Sequence, residues 1–212
     1  MFERLLQWIY PDLCIGCGKL GHLVCAACLA RAPRYSDPLP DVGAQHVYVC
    51  FVYTAVIRQA LLLLKYCGKR RYARVLATTL VDTVPRAYAG VVALPAAESR
   101  IAHRGYDQAV LLAQSVADDL QLPYCPGLVR TRDTTAQAHL SRQQRAHNVA
   151  AAFGWRGPPL SGRVLLIDDI CTTGATVREA ILAIKAAGML EVDVAVVARG
   201  KTNPSRSNER EG

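Results

Sequence analysis

Residues 163–177 read RVLLIDDICTTGATV. An apolar run long enough for a buried strand breaks into two adjacent aspartates, then into hydroxyl residues around one glycine. The helical pattern TVREAILAIKAAG follows at once, stopped by Gly188 at the C′ position, and VDVAVVA reads as a further buried strand. Strand, helix and strand in that order, with runs apolar on both faces, require a parallel sheet covered by helices. The loop between them then lies at the carboxyl edge of the sheet, where open α/β proteins bind ligands.

The loop residues suit a phosphate. Gly174 lets the backbone approach closely, Thr172, Thr173 and Thr176 offer hydroxyls, and the amides opening the helix, from Ala175 on, point donors at an anion. Asp168 and Asp169 would repel phosphate but accept hydrogen bonds from hydroxyls, and two neighbouring acceptors match a vicinal diol. Phosphate at one end and a diol at the other describe a ribose 5-phosphate. The alternative, a turn whose acids merely cap the helix, needs one acid and no glycine-threonine loop. Cys171 inside the loop reads as a small filler rather than an activated thiol.

Upstream the same alternation holds. HVYVCFVY at 46–53 is strand-like, TAVIRQALLLLKY and RRYARVLATTLVDTV have helical spacing, and GVVALP is a short apolar run. A helix from about Tyr106 to Leu122 puts Ala109, Leu112, Ala113, Val116, Ala117 and Leu120 on one face, and residues 127–132 suggest a short strand. The chain divides into 1–45, a cysteine segment and Pro/Asp-rich linker; 46–90, a hood or the start of the core; 91–199, the core; and 200–212, a polar tail read as disordered.

Cys14, Cys17, Cys25 and Cys28 are spaced C-x2-C-x7-C-x2-C. Two such pairs close a tetrahedral sulfur shell, which for Zn²⁺ leaves no open position and is structural. An iron–sulfur cluster and unligated packing cysteines are the alternatives. No run reaches the length of a membrane span and the N-terminus lacks a secretory pattern, so a cytoplasmic location is expected, where eight cysteines do not form a disulfide framework. Residues 1–90 carry 11 Lys/Arg against 5 Asp/Glu, with a knot at Lys69, Arg70 and Arg71. That excess favours phosphorylated small molecules or nucleic acid, or is a solvated helix end.

LIDDICTTGAT resembles the phosphoribosyl-pyrophosphate (PRPP) loop of type I phosphoribosyltransferases. Together with the cysteine pairs, LKYCGK from 64, ALPAAESRIAHRGYDQA at 93–109 and LVRTRDTTAQAHLSRQQRAHNVAAAF at 128–153, it is similar to the ComF/GntX-type phosphoribosyltransferase-like proteins from residue 14 to 199. The resemblance implies a type I phosphoribosyltransferase fold with an N-terminal zinc knuckle and hood. It implies Asp168, Asp169 and Arg104 as catalytic residues. PRPP would be held by Asp168, Asp169, Thr172, Thr173, Gly174, Ala175 and Thr176, with Pro95 and Ala96 as the pyrophosphate loop. Mg²⁺ would accompany PRPP, and Arg130, Arg132, Arg142 and Arg145 would sit in a mobile loop that either neutralises pyrophosphate or is simply solvated.

The sequence departs from the family pattern in two places. Asp107 replaces the asparagine of R-G-[FY]-N-Q, which weakens any binding role there. Thr172 stands where purine-salvage members carry an acid that acts on the base, so the acceptor is open. The implied reaction is displacement of pyrophosphate from C1 of PRPP; the alternative is a non-catalytic PRPP-binding or nucleic-acid-associated module of the competence and DNA-uptake machinery. Single-stranded DNA, a competence-machinery partner and a second copy of the chain, a homodimer being common in the class, are the implied partners.

Overall fold

In a computed structural model, residues 11–131 and 152–200 of the 212 are described. The elements are α1 (Ala26–Arg31), β1 (Val47–Val52), α2 (Ala55–Tyr66), α3 (Tyr72–Val81), β2 (Gly90–Ala93), α4 (Glu98–Arg104), α5 (Gln108–Leu120), β3 (Leu128–Arg130), β4 (Phe153–Trp155), β5 (Val164–Cys171), α6 (Ala175–Ala186) and β6 (Val192–Arg199). Four strands form the central sheet in the order β1-β6-β5-β2, every neighbouring pair parallel. The expected type I phosphoribosyltransferase architecture, a parallel sheet flanked by helices behind an N-terminal cysteine cluster, is the observed one.

Each face of the sheet buries its own apolar layer. On one, Leu165, Ile167, Ala195 and Val197 meet Ile57, Leu61 and Leu64 of α2, Leu76 and Leu80 of α3, and Leu112 and Val116 of α5. On the other, Leu166, Val194 and Val196 meet Val177, Ile181 and Ile184 of α6. The α5 face expected from spacing is buried throughout, from Ala109 to Leu120. β1 lies beside β6 with Val47 opposite Val194 and Val52 opposite Arg199, so residues 47–52 belong to the sheet itself.

Three features depart from what spacing alone suggests. β5 does not stop before the aspartates: Asp168 still lies opposite Val196 and Ile170 opposite Ala198, because the β6 ladder continues alongside. α4 has no buried residue and therefore no apolar period to reveal it. The two short strands β3 and β4 pair antiparallel and pack on α6, and Gly127 is required there, since a Cβ would lie 2.4 Å from the Trp155 ring. The polar tail from 201 and the arginines at 132, 142 and 145 lie outside the described residues.

Candidate functional site

At the carboxyl edge of β2, β5 and β6 an open cleft of about 700 Å³ gathers Pro95, Ala96, Arg104, Arg130, Asp168, Asp169 and Thr172 through Thr176. Pro95 and Asp168, 73 positions apart in sequence, thus share one cavity, because β2 and β5 are adjacent parallel strands and both end there. Arg132, Arg142 and Arg145 lie outside the described residues, so of the four loop arginines only Arg130 is placed; its guanidinium stacks 4.9 Å from the Phe153 ring.

The phosphate-type loop has the expected geometry. Gly174 is left-handed, at φ +79°, and opens α6 with no side chain of its own to cap it, while the Ala175 amide donates to Thr173 Oγ1 at 3.4 Å. It is also pressed from behind: a Cβ would lie 2.6 Å from Val42 and 3.3 Å from Pro40. The segment bearing Pro40 and Val42 is tied to α6 by Lys185, whose Nζ donates to the Gly43 carbonyl at 2.7 Å, and by Arg178, which donates to the Asp41 carbonyl. Gly174→Ala therefore meets both a steric and a dihedral penalty. We expect it to lower stability by about 1–3 kcal/mol, seen as a reduced urea midpoint, and to weaken ligand binding by shifting the loop.

The two aspartates occupy different environments. Asp169 is almost wholly buried and forms an ion pair with Lys65 of α2, while Gln108 Nε2 of α5 donates to its Oδ1 at 3.4 Å. Arg104 Nη1 in turn donates to Gln108 Oε1 at 2.7 Å, which orients the amide, and its guanidinium lies 5.0 Å from the ring of exposed Tyr66. Asp168 is half-buried and accepts from the Asp169 amide at 2.7 Å, but no cation pairs with it among the described residues. Burial, and then the adjacent Asp169 carboxylate, raise the Asp168 carboxyl well above its ordinary range.

A carboxyl held up in this way favours the folded state only while protonated. As pH rises from about 4 through the raised pKa, the folded protein loses stability that an asparagine would keep. Asp168→Asn should then melt about 2–4 °C above the parent at pH 7.5, with the difference vanishing near pH 4. Equal melting temperatures at both pH values would refute the electrostatic description of this residue.

Lys65, Gln108, Tyr53 and Tyr66 also line the cleft and are not among the residues singled out from sequence. Lys65 stands in the LKYCGK stretch and Gln108 in RGYDQ, so the signal was present as pattern without a role. Asp107 turns out to be structural: its Oδ1 accepts from the Ala109 amide as the α5 cap, and its Oδ2 accepts from the Ala96 amide at 2.8 Å. The acid uses both oxygens to clamp the pyrophosphate-type loop to α5. Cys171 is buried, and burial pushes its thiol up, as befits a filler. Arg70 stacks on Tyr106 and Arg71 pairs with Asp12 at 2.7 Å, so two of the three residues of the basic knot are engaged within the fold.

The second site is the cysteine cluster. The sulfurs of Cys14, Cys17, Cys25 and Cys28 all lie within 4.8 Å of one another, with Cys17 and Cys25 at 3.6 Å. A tetrahedral shell with metal–sulfur bonds of about 2.3 Å has sulfurs about 3.8 Å apart, so the donors fit such an ion. Gly16 allows the approach, since a Cβ there would lie 2.7 Å from Cys28 Sγ. Burial works to raise the Cys14 thiol, but the amides of Cys25, Gly16 and Cys17 together outweigh it and lower it to about 6. The neighbouring sulfurs of Cys17 and Cys25 push Cys28 up to about 12. To be thiolates together at this separation, the four would need a cation at the centre.

A doubly covered parallel sheet with a threonine-glycine phosphate loop at its carboxyl edge defines a phosphoribosyltransferase-type domain, and a model of the phosphoribosyl transferase domain matches residues 107–211. The DNA utilization protein YhgH of Escherichia coli K12 is 30% identical over 180 residues, 79% of this chain and 75% of that protein. Competence protein F of Haemophilus influenzae is 33% identical over 113 residues, covering 51% and 49%. Glutamine PRPP amidotransferase from B. subtilis superposes with a TM-score of 0.40 at 23% identity, over 61% of this chain and 26% of that one. The chain belongs to the ComF-type family of phosphoribosyltransferase-like proteins.

Proposed function

We propose that the cleft binds PRPP with Mg²⁺ and transfers its phosphoribosyl group to an acceptor, releasing pyrophosphate. The observation that supports this most is the meeting of the Asp168–Thr176 loop and the Pro95–Ala96 loop in the lining of one cavity. The amides and hydroxyls of Thr172 to Thr176 hold the 5′-phosphate. Asp168 accepts from the ribose hydroxyls, and Asp169 shares that role while braced by Lys65 and Gln108. Both carboxylates lend negative potential to the sugar as it becomes oxocarbenium-like on losing pyrophosphate. The pyrophosphate lies against the loop at Pro95 and Ala96, with Arg104 on the opposite rim.

Mg²⁺ takes oxygen ligands and keeps several waters, and Asp168, a half-buried carboxylate with no ion pair among the described residues, fits that preference. When bound it supplies positive charge to the departing pyrophosphate. In the cysteine cluster we infer a structural Zn²⁺, whose knuckle shares a buried apolar cluster with α2. Residues 91–199 with β1 and β6 make the core, and the location is cytoplasmic.

A second reading, a non-catalytic PRPP-binding module in DNA utilisation, is favoured by the names of the relatives and by the closed Lys65–Asp169 pair. One experiment separates them: calorimetric titration with PRPP and Mg²⁺, and pyrophosphate release with a panel of bases, amines and single-stranded DNA. PRPP binding with release supports the enzyme; binding without release under any condition supports the module. If Asp168→Asn with Asp169→Asn binds PRPP as the parent does, the site assignment is wrong for both.

A further inference from the structure

Arg199 ends β6 directly behind the wall of the cleft: its cross-strand partner Cys171 and its successor Gly200 both line the cavity. The residue is 5% exposed, yet its Nε and Nη1 have no hydrogen-bond partner, and no carboxylate pairs with it among the described residues. The nearest aromatic is Tyr35, with the guanidinium 5.8 Å from its ring, and the Tyr35 hydroxyl is buried and unpartnered as well. Tyr35 is fixed in place, since its amide donates to the Cys50 carbonyl, Arg34 bridges Phe51, and the Val52 amide donates to the Pro33 carbonyl at 2.8 Å. Onward from Tyr35 the chain reaches Pro40 and Val42, the residues pressed against Gly174 of the phosphate-type loop.

The contrast with the opposite edge of the sheet is instructive. Asp193 is fully buried too, but accepts from the His46 amide at 3.1 Å and the Tyr88 hydroxyl at 3.0 Å. A buried guanidinium cannot shed its proton, and the face of a tyrosine only partly replaces lost hydration. What satisfies a planar fork of donors with a hydroxyl beside it is an acceptor-only group with several oxygens, a phosphate-class oxyanion.

We propose that Arg199 and the Tyr35 hydroxyl form an oxyanion subsite of the phosphate class, adjoining the phosphate-type loop but separate from its amides. It is a second anion position, behind the part of the cleft wall formed by Cys171 and Gly200, and stands whether or not PRPP is turned over. The occupant is either free phosphate or the phosphoryl group of a larger ligand.

The test is calorimetric titration of the full chain with inorganic phosphate and with ribose 5-phosphate, at ionic strength matched with sodium chloride. Parent protein should bind inorganic phosphate, Arg199→Met should bind it at least tenfold more weakly, and Tyr35→Phe about threefold more weakly. Tyr35→Phe keeps the ring and carries the test if Arg199→Met fails to fold. A matching loss for ribose 5-phosphate identifies the phosphoryl group of a larger ligand as the occupant; a loss for inorganic phosphate alone identifies the free ion. The proposal is overturned if the parent binds no phosphate, if folded Arg199→Met and Tyr35→Phe bind it as the parent does, or if Gly174→Ala alone abolishes binding. In those cases the PRPP titration of the parent still stands as a separate result.

Discussion

Stripping the cysteine cluster of its metal is expected to release one equivalent of zinc and to lower the melting temperature by about 10 °C. Cys14, Cys25 and Cys28 are counted among the same buried cluster as Ile57 and Leu61 of α2, and Val24 and Ala32 join them. The knuckle therefore packs into the same apolar layer as α2 and is not an independent bead. Without a central cation its four sulfurs, within 4.8 Å of one another, cannot all remain thiolates, and the turns that hold them lose their purpose. Because the sheet keeps its own two apolar layers, the far-UV circular dichroism should fall only partly. Cys17→Ser with Cys28→Ser should behave as the chelated parent does. Reduced protein that contains no metal and melts at the parent temperature would sink the assignment, and an iron–sulfur cluster would declare itself by visible absorption.

Lys65→Met should be among the most damaging single substitutions in the cleft, costing about 3–5 kcal/mol. The reason is asymmetric: Asp169 is about 4% exposed, and removing its partner strands a carboxylate where water does not reach it. Adding Asp169→Asn to Lys65→Met removes the stranded charge and should restore most of the loss, so the double variant is more stable than Lys65→Met alone. Additive losses, measured by urea unfolding of all four proteins, would show that the pair is not coupled and that Lys65 acts only through packing. Ligand binding gives an independent readout, since the double variant regains stability without regaining the diol acceptor.

Both predictions bear on α2, which connects the N-terminal cysteine knuckle with the cleft. The helix shares a buried apolar cluster with the knuckle and places Lys65 and Tyr66 in the cleft. A defect in the knuckle should thus reach the cleft through Lys65.

Local chemistry sufficed wherever a residue's role follows from its neighbours in the chain. The run LLI before two acids, the glycine-threonine stretch ahead of a helical pattern, and the paired cysteines each stand out within a few positions, because strand, helix start and cysteine turn are short-range structures. The apolar face of α5 from Ala109 to Leu120 was legible for the same reason, its 3.6-residue period being written along one segment.

Tertiary structure alone decided what each aspartate is. Adjacent in sequence and alike in chemistry, they separate only when α2 brings Lys65 and α5 brings Gln108 to Asp169, leaving Asp168 without an ion pair of its own among the described residues. The same holds for Asp107, which spacing marks as an intrusive charge and folding makes a clamp on the Ala96 amide. Arg199 is the sharpest case, an ordinary strand-end cation in sequence whose burial without a partner exists only once Tyr35 has folded over it. Charge compensation depends on distance in space and on exclusion of water, and neither is a property of neighbours along the chain.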